Sequence, residues 1–128
     1  MSDEQDGNLD EAREEAERLG VGSYDRHIFL CTGPDCCSTE EGMAAWMQLK
    51  MGVAKINGAD EQWRIFRTKV GCLRICREGP TAVVYPEGTW YGGLTPDALE
   101  RVIRQDLRGL GPVEDLRIGE NPIGGGAE

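Results

Sequence analysis

Five cysteines, at positions 31, 36, 37, 72 and 76, are the residues of this chain best suited to chemistry. Taking one cysteine from the adjacent pair gives Cys31-x4-Cys36, then 35 intervening residues, then Cys72-x3-Cys76. Two close pairs of thiolates can surround one metal centre. Four thiolates suit zinc, or an iron–sulfur cluster of the two-iron or four-iron type.

The histidine count and the cysteine spacing exclude several kinds of site. A Rieske centre needs two histidines, and a His-rich catalytic zinc site needs at least two, whereas this chain has only His27. The C-x2-C-x2-C run of bacterial four-iron ferredoxins is absent, and so is the Cys-x-x-Cys of disulfide oxidoreductases. Spacing alone leaves a two-iron cluster and a structural zinc as equal alternatives, with thiol–disulfide chemistry third.

The elements around the cysteines predict that both pairs lie in loops that follow strands. Residues 27–30 form a short apolar strand that runs into Cys31, and residues 63–70 predict a second strand just before Cys72. Between them, Ser-Thr-Glu-Glu at residues 38–41 is a capping box that opens a helix. The periodicity of that helix predicts an inner face made of Met43, Trp46, Met47, Met51 and Ala54.

The second half of the chain predicts a hairpin followed by a helix. Residues 81–85 are a continuous apolar run, as expected for a strand buried on both faces. Residues 86–88 turn this strand into its partner at residues 89–91. Thr95 is predicted to cap the last helix and Gly109 to end it. Strands with interleaved helices predict an α/β layer fold.

Charge and composition exclude some classes of partner. The net charge of −9 argues against nucleic acid or an anionic membrane surface. No apolar run approaches the length of a membrane span, and the acidic first twenty residues do not form a signal peptide. An odd number of cysteines, five in 128 residues, favours a reducing, cytoplasmic location over a disulfide-rich secreted scaffold.

The chain divides into three predicted parts: an acidic N-terminal extension (1–26), one domain (27–118) and a flexible Gly-rich tail (119–128). The first twenty residues hold eight acidic and two basic side chains. There Asn8 is predicted to cap a short helix, and Gly20 to end it. The extension is either a solvated appendage or an electrostatic docking arm.

The cysteine spacing and the residues after it resemble the thioredoxin-like [2Fe-2S] ferredoxins, which are related to the small cluster-bearing subunit of bacterial complex I. The loop between the first two cysteines has four residues, as in that subunit, whereas the thirty residues before Cys31 begin with an acidic stretch. We therefore expect a self-contained ferredoxin. The resemblance runs from about residue 27 to about residue 118. The motifs that carry it are His27-Ile-Phe-Leu-Cys31, Gly71-Cys-Leu-Arg-Ile-Cys76, Gly79-Pro80, Val83-Val-Tyr-Pro86, Gly88, Trp90-Tyr-Gly92 and Pro112-Val113.

The resemblance implies a thioredoxin-like α/β fold, in which a small mixed sheet packs with two main helices and the cluster loops lie at one end. It implies one [2Fe-2S] cluster with Cys31, Cys36, Cys72 and Cys76 as metal ligands, and one-electron transfer with no catalysis. It also implies a homodimer, for which the hairpin at residues 81–91 is a candidate contact through its aromatic side chains. Expected partners are redox proteins with an electropositive docking patch.

The residues next to the cysteines suit an anionic cluster. Gly33 and Gly71 are predicted to let the backbone approach closely, and the helix that starts after Ser38 directs its positive end toward Cys36. Cys37 is predicted to pack against that helix, because neighbouring side chains in an extended segment point opposite ways. Leu73 and Ile75 are predicted to shield the cluster from water.

Overall fold

A mixed sheet with helices packed against it forms the body of the protein. The structure is a computed structural model that describes residues 2–59, 65–75 and 77–123. The elements in chain order are α1 (Ser2–Leu19), β1 (Arg26–Cys31), α2 (Thr39–Ala59), β2 (Ile65–Val70), β3 (Ala82–Tyr85), β4 (Thr89–Tyr91), α3 (Pro96–Arg101) and β5 (Arg117–Glu120). A π-helical segment, Val102–Asp106, continues α3, and a 3₁₀ turn, Glu114–Leu116, leads into β5.

The strand order of the sheet is β2-β1-β3-β4-β5 in the described residues. β1 pairs with β2 in parallel and with β3 antiparallel, while β4 and β5 continue the antiparallel part. Cys31, the last residue of β1, pairs with Val70, the last residue of β2. The carboxyl ends of these two strands therefore meet at one edge of the sheet, which puts the two cysteine loops side by side. The predicted α/β mixed sheet and the predicted hairpin are confirmed.

The two predicted helix starts are confirmed by their capping hydrogen bonds. The backbone N–H of Ser38 donates to the Glu41 carboxylate at 3.0 Å, and the Glu41 N–H donates to the Ser38 hydroxyl at 3.0 Å. The Thr95 hydroxyl accepts from the Ala98 N–H at 3.3 Å at the start of α3. The first of these caps begins α2 directly after the first cysteine loop.

The predicted inner face of α2 was wrong at its methionines. Met43, Met47 and Met51 are exposed at 38%, 50% and 63%. Of the predicted face only Trp46 is buried, and Ala54 is exposed. This helix carries apolar side chains around most of its circumference, so two stripes at helical spacing compete for the core. The stripe with the branched side chains Leu49, Val53 and Ile56 is the one that packs into the core, together with Ala45 and Trp46.

Helix α1 and strand β5 differ from the predicted boundaries near the two ends of the described chain. α1 begins at Ser2, so Asn8 lies inside the helix and does not cap it. The helix ends at Leu19 as predicted, and Gly20 follows with a positive φ of 90°. β5 extends the sheet to Glu120, beyond the predicted domain boundary at residue 118. Residues 63–64 of the predicted second strand and 124–128 of the predicted tail lie outside the described residues. None of the described helices is long and apolar enough to cross a membrane.

Candidate cysteine site

Cys31 lies at the end of β1, in the interior of the protein. Its side chain is only 2% exposed. Its backbone N–H donates to the carbonyl oxygen of Thr81, just before β3, at 2.8 Å. Because side chains alternate along a strand, Cys31 lies on the opposite face from Leu30 and outside the main core. The strand therefore holds this thiol in a small separate cluster.

Cys36 and Cys37 lie in the first loop and complete that buried cluster. The Sγ atoms of Cys31 and Cys36 are 3.0 Å apart, and the Sγ atoms of Cys36 and Cys37 are 3.8 Å apart. Cys36 is 8% exposed and Cys37 is 9% exposed. Leu73 and Val70 pack against these three side chains. Leu73 thus covers the thiols as predicted, whereas Ile75 is 39% exposed.

Two glycines allow the backbone segments around Cys36 to approach closely. Gly33 has a φ of 88°, and a Cβ there would lie 2.4 Å from the Cys37 carbonyl oxygen. A Cβ on Gly79 would lie 2.4 Å from the Cys36 carbonyl oxygen, to which the Gly79 N–H donates at 2.9 Å. The prediction for Gly33 is confirmed. Gly71 has no described atom within 4 Å of the position a Cβ would take, so the close approach predicted there is not seen.

Cys72 lies in the second loop, after β2, and is exposed. Its sulfur accepts a hydrogen bond from the Arg74 N–H at 3.2 Å, and Arg74 has a φ of 73°. This turn directs a backbone donor at the sulfur, as in other anion-binding turns. Cys76, the fourth predicted ligand, lies outside the described residues. Within the described ranges, no three cysteine, histidine or carboxylate side chains are arranged to hold a metal ion.

The second loop also reaches the first cysteine. The Cys31 Sγ lies 3.9 Å from the Gly71 carbonyl oxygen. The backbone N–H groups of Gly33 and Leu73, one from each loop, are near enough to the Cys31 sulfur to lower its pKa. The structure therefore brings Cys31, Cys36 and the start of the second loop together at the edge where β1 and β2 end.

The three buried thiols have different pKa values. Burial raises the pKa of Cys31, but the Cys36 thiol, the Gly33 and Leu73 N–H groups and the nearby Thr81 hydroxyl together outweigh it, so the pKa is lowered overall. Burial and the neighbouring thiols raise the pKa of Cys36 to about 12. Burial also raises the pKa of Cys37. Cys31 is therefore the thiol of this cluster with the strongest tendency to ionise.

Sequence reasoning did not single out Thr81 as a site residue. It is the first residue of the predicted apolar run 81–85 and lies opposite Cys31 across β1 and β3. Its hydroxyl makes no hydrogen bond of ordinary geometry with any described residue, although it is near enough to the Cys31 sulfur to lower the pKa of that thiol. Only the pairing of β1 with β3 reveals this contact, and a single sequence carries no signal for it.

Comparisons with known proteins give relatives of one kind. No known family model matches the chain. It is 29% identical to a protein named "Ferredoxin, 2Fe-2S" from Clostridium pasteurianum over 96 residues, which cover 72% of this chain and 94% of the relative. A "Ferredoxin, 2Fe-2S" from Aquifex aeolicus (strain VF5) is 43% identical over 51 residues, 40% of this chain and 46% of the relative. A "Putative 2Fe-2S ferredoxin" from Priestia megaterium is 32% identical over 83 residues, 65% of this chain and 61% of the relative.

Solved structures extend the likeness to the fold. A thioredoxin-like [2Fe-2S] ferredoxin from Aquifex aeolicus superimposes with a TM-score of 0.64 at 27% identity, covering 80% of this chain and 97% of that one. A wild-type crystal structure of such a ferredoxin from the same organism gives a TM-score of 0.58 at 28% identity, covering 75% and 98%. The predicted thioredoxin-like fold is confirmed.

Proposed function

We propose that the chain is a one-electron carrier of the thioredoxin-like [2Fe-2S] ferredoxin family, with a single [2Fe-2S] cluster. The proposed ligands are Cys31, Cys36, Cys72 and Cys76. The relatives are named as 2Fe-2S ferredoxins, and the cysteine spacing supplies the four positions. The proposed role is electron transfer without catalysis.

The observation that carries the proposal is the buried Cys31–Cys36 pair beside the second cysteine loop. The two Sγ atoms are 3.0 Å apart, close enough to bind one iron after small adjustments. The parallel pairing of β1 with β2 starts the second loop, which contains Cys72 and Cys76, at the same edge of the sheet. Two thiol pairs on two adjacent loops fit a two-iron centre, in which each iron takes two thiolates.

The donors of the protein fit the negative charge of such a centre. The backbone N–H groups of Gly33 and Leu73 lie near the Cys31 sulfur and lower its pKa, and Arg74 donates its N–H to the Cys72 sulfur. The bound cluster would supply reversible one-electron chemistry. The protein holds the thiolates in place and supplies hydrogen bonds. Leu73 and Val70 keep water away from the buried sulfurs, and burial and hydrogen bonds to sulfur both tune a reduction potential.

A thiol–disulfide protein is the second candidate function. It is favoured by the same 3.0 Å separation, since Cys31 and Cys36 are close enough to exchange electrons as a dithiol pair. Their five-residue offset differs from Cys-x-x-Cys, and Cys72 would have no part in that chemistry. A structural zinc site held by the four cysteines is the third candidate function.

Metal and sulfide analysis separates these three functions. Protein purified without oxygen is assayed for iron, acid-labile sulfide and zinc, and its visible spectrum is recorded before and after dithionite. We expect two irons and two sulfides per chain and absorption that bleaches on reduction, with an EPR signal in the reduced state. Colourless protein with one zinc per chain indicates the structural site. Colourless, metal-free protein with a reducible disulfide indicates the second candidate.

The proposed partners are redox proteins with an electropositive docking patch. α1 supports this, because its acidic side chains from residue 10 onward are exposed on a helix outside the core. Complementary charge would steer a weak, short-lived encounter. A cytoplasmic location fits the described cysteines, all of which are free thiols.

A homodimer is also proposed, and of the two predicted hairpin aromatics only Trp90 is exposed enough to form its contact. β3 lies between β1 and β4, and β5 covers the outer edge of β4. Tyr91 is fully buried within its own chain and cannot contact a partner. Trp90 is partly exposed and borders an apolar depression with Ile75 and Ile118. This Trp90 patch, made of Trp90, Ile75 and Ile118, is the proposed dimer contact.

A further inference from the structure

The Thr81 side chain is a buried polar group whose role is not explained by packing. Its exposure is 0%. Its hydroxyl oxygen has no hydrogen-bond partner of ordinary geometry among the described residues. A buried hydroxyl in this condition costs stability, and its retention needs an explanation in terms of its neighbours.

The neighbour of Thr81 is Cys31. Leu30 pairs with Ala82 in the antiparallel register of β1 and β3, so the next residues along, Cys31 and Thr81, lie opposite each other. The 2.8 Å bond from the Cys31 N–H to the Thr81 carbonyl oxygen fixes this pairing. Side chains directly opposite in an antiparallel pair share one face and have their Cβ atoms about 4.5–5.5 Å apart. The hydroxyl and the sulfur are therefore held on the same side of the sheet.

The hydroxyl differs from the other donors around Cys31 in being able to rotate. The Gly33 and Leu73 N–H groups have directions set by the backbone. The hydrogen of a threonine hydroxyl turns about the C–O bond and can follow the charge on a nearby sulfur. A thiolate is a better acceptor than a thiol, so a hydroxyl without a good partner beside a thiol gains one when the sulfur becomes a metal ligand.

We propose that Thr81 is a positioning residue whose hydroxyl donates a hydrogen bond to the Cys31 sulfur when that sulfur ligates the cluster, and that this bond raises the reduction potential. The inference rests on the proposed function. Reduction places one more negative charge on the centre, and a hydrogen bond to a ligand sulfur stabilises the more negative state more strongly. Losing the hydroxyl therefore makes reduction harder.

The test compares three variants of the cluster-loaded full chain. Thr81→Val removes the hydroxyl and keeps the branched shape, Thr81→Ser keeps the hydroxyl, and Thr89→Val is the matched control. Thr89 is also buried, at 1% exposure, but it lies on β4 opposite Val84, three positions along β3 from Thr81. Thr81→Ala is the second hydroxyl-free variant if valine is not accommodated. Potentials are measured by redox titration with dithionite as the electron source.

We expect Thr81→Val to lower the equilibrium constant for reduction about tenfold, which is about 59 mV for one electron. Thr81→Ser and Thr89→Val should keep the native potential. Exchange into D₂O should shift the iron–sulfur stretching bands of the native protein, and Thr81→Val should lose part of that shift. In the metal-free protein, Thr81→Val should leave resistance to urea unchanged or higher, because it removes an unpartnered hydroxyl.

The outcomes separate this inference from the proposed function. If the native protein binds no iron and sulfide, the proposed function fails and this inference fails with it. If the native protein binds the cluster and both hydroxyl-free variants keep its potential, the inference alone is wrong. It is also wrong if Thr81→Ser shifts the potential as far as Thr81→Val, since packing would then be the cause.

Discussion

The Tyr91 hydroxyl donates a hydrogen bond of 2.5 Å to the Asp106 carboxylate, and both side chains are buried. The same hydroxyl accepts from the backbone N–H of Val113 at 3.0 Å. One phenol thus joins β4 to the π-helical segment and to the chain that leads toward β5. Burial and the hydrogen bond to Asp106 raise the pKa of Tyr91, so the phenol stays protonated and remains a donor.

Removing this hydroxyl should destabilise the fold. Tyr91→Phe leaves the Asp106 carboxylate and the Val113 N–H without their buried partner, and we expect a loss of about 1–3 kcal/mol in the free energy of unfolding. Urea titration followed by circular dichroism measures it. Tyr85→Phe is the control, because the Tyr85 side chain is only partly buried. Equal, small losses for both variants would show that the pair contributes little.

The Asp106 carboxyl should make stability depend on pH. Burial raises the pKa of this carboxyl above its ordinary value, and the hydrogen bond from Tyr91 offsets only part of that rise. The stability that this carboxyl contributes is therefore fully present below its pKa in the unfolded chain. It is lost as pH rises through its pKa in the folded protein. Relative to Asp106→Asn, the native protein should lose stability from about pH 4 upward. The urea midpoints of both proteins, measured between pH 3 and pH 7, test this. The prediction is wrong if the stability of the native protein rises relative to that of Asp106→Asn as pH increases.

The local elements of this fold were predictable because their signals are local. The Ser38–Glu41 capping box and the Thr95 cap each lie within four residues of sequence, and both form the predicted hydrogen bonds. The buried face of α2 was not predictable in the same way, because Met47 and Leu49 lie on two stripes of equal periodicity. β5 was missed because Arg117–Glu120 is mostly exposed at the sheet edge and so has no apolar pattern.

The site was predictable to the extent that it depends on spacing. Cys36 is adjacent to Cys31 in space, as its four-residue separation suggested. Thr81 was not predictable, since its contact with Cys31 depends on the register between β1 and β3. Registers join residues that are distant in sequence, here 50 positions apart, and a single sequence does not state them.

The choice between Cys36 and Cys37 gives a spectroscopic prediction. Cys37→Ser should leave the visible spectrum, the reduced-state EPR signal and the potential almost unchanged, because Cys36 is the thiol 3.0 Å from Cys31. Cys36→Ser should lose the cluster or shift its spectrum. Cys37 lies 3.8 Å from Cys36 and is close enough to substitute, so Cys36→Ser/Cys37→Ser is needed beside the single variants. A colourless Cys37→Ser with a native-like Cys36→Ser reverses the assignment.

Electron transfer to a partner should slow as salt rises. The chain carries a net charge of −9, and screening beyond about 10 Å at 0.1 M salt weakens steering toward an electropositive patch. Stopped-flow rates between low and high ionic strength measure the effect. Flat rates would exclude electrostatic steering.

The contribution of α1 to steering is separable from that of the domain. Deleting residues 2–20 removes eight acidic and two basic side chains, and we expect a smaller salt dependence. The triple variant Glu11→Gln/Glu14→Gln/Glu17→Gln separates charge from the presence of the helix, because it removes three negative charges from α1 and keeps the helix. Unchanged kinetics in both variants would identify α1 as an appendage without a docking role.

Assembly through the Trp90 patch should be visible as a dimeric mass. Light scattering at micromolar concentration is expected to give twice the mass of the chain. Trp90→Ser should shift the protein toward monomer, because it removes the largest apolar side chain of the patch. Met47→Ser is the control, since it removes an exposed apolar side chain from α2, outside the patch. A native protein of monomeric mass rules out the dimer.

The parallel pairing of β1 with β2 has a consequence for how a cofactor enters the protein. The two cysteine loops are separated by the whole of α2 in sequence and become neighbours only after this crossover has folded. An unfolded chain presents the two loops with no common geometry, so a cofactor shared by both loops binds the folded state more tightly. Each tenfold gain in free cofactor over its dissociation constant then adds about 1.4 kcal/mol to stability by mass action. If the cluster takes ligands from both loops, as proposed, its insertion follows closure of the crossover.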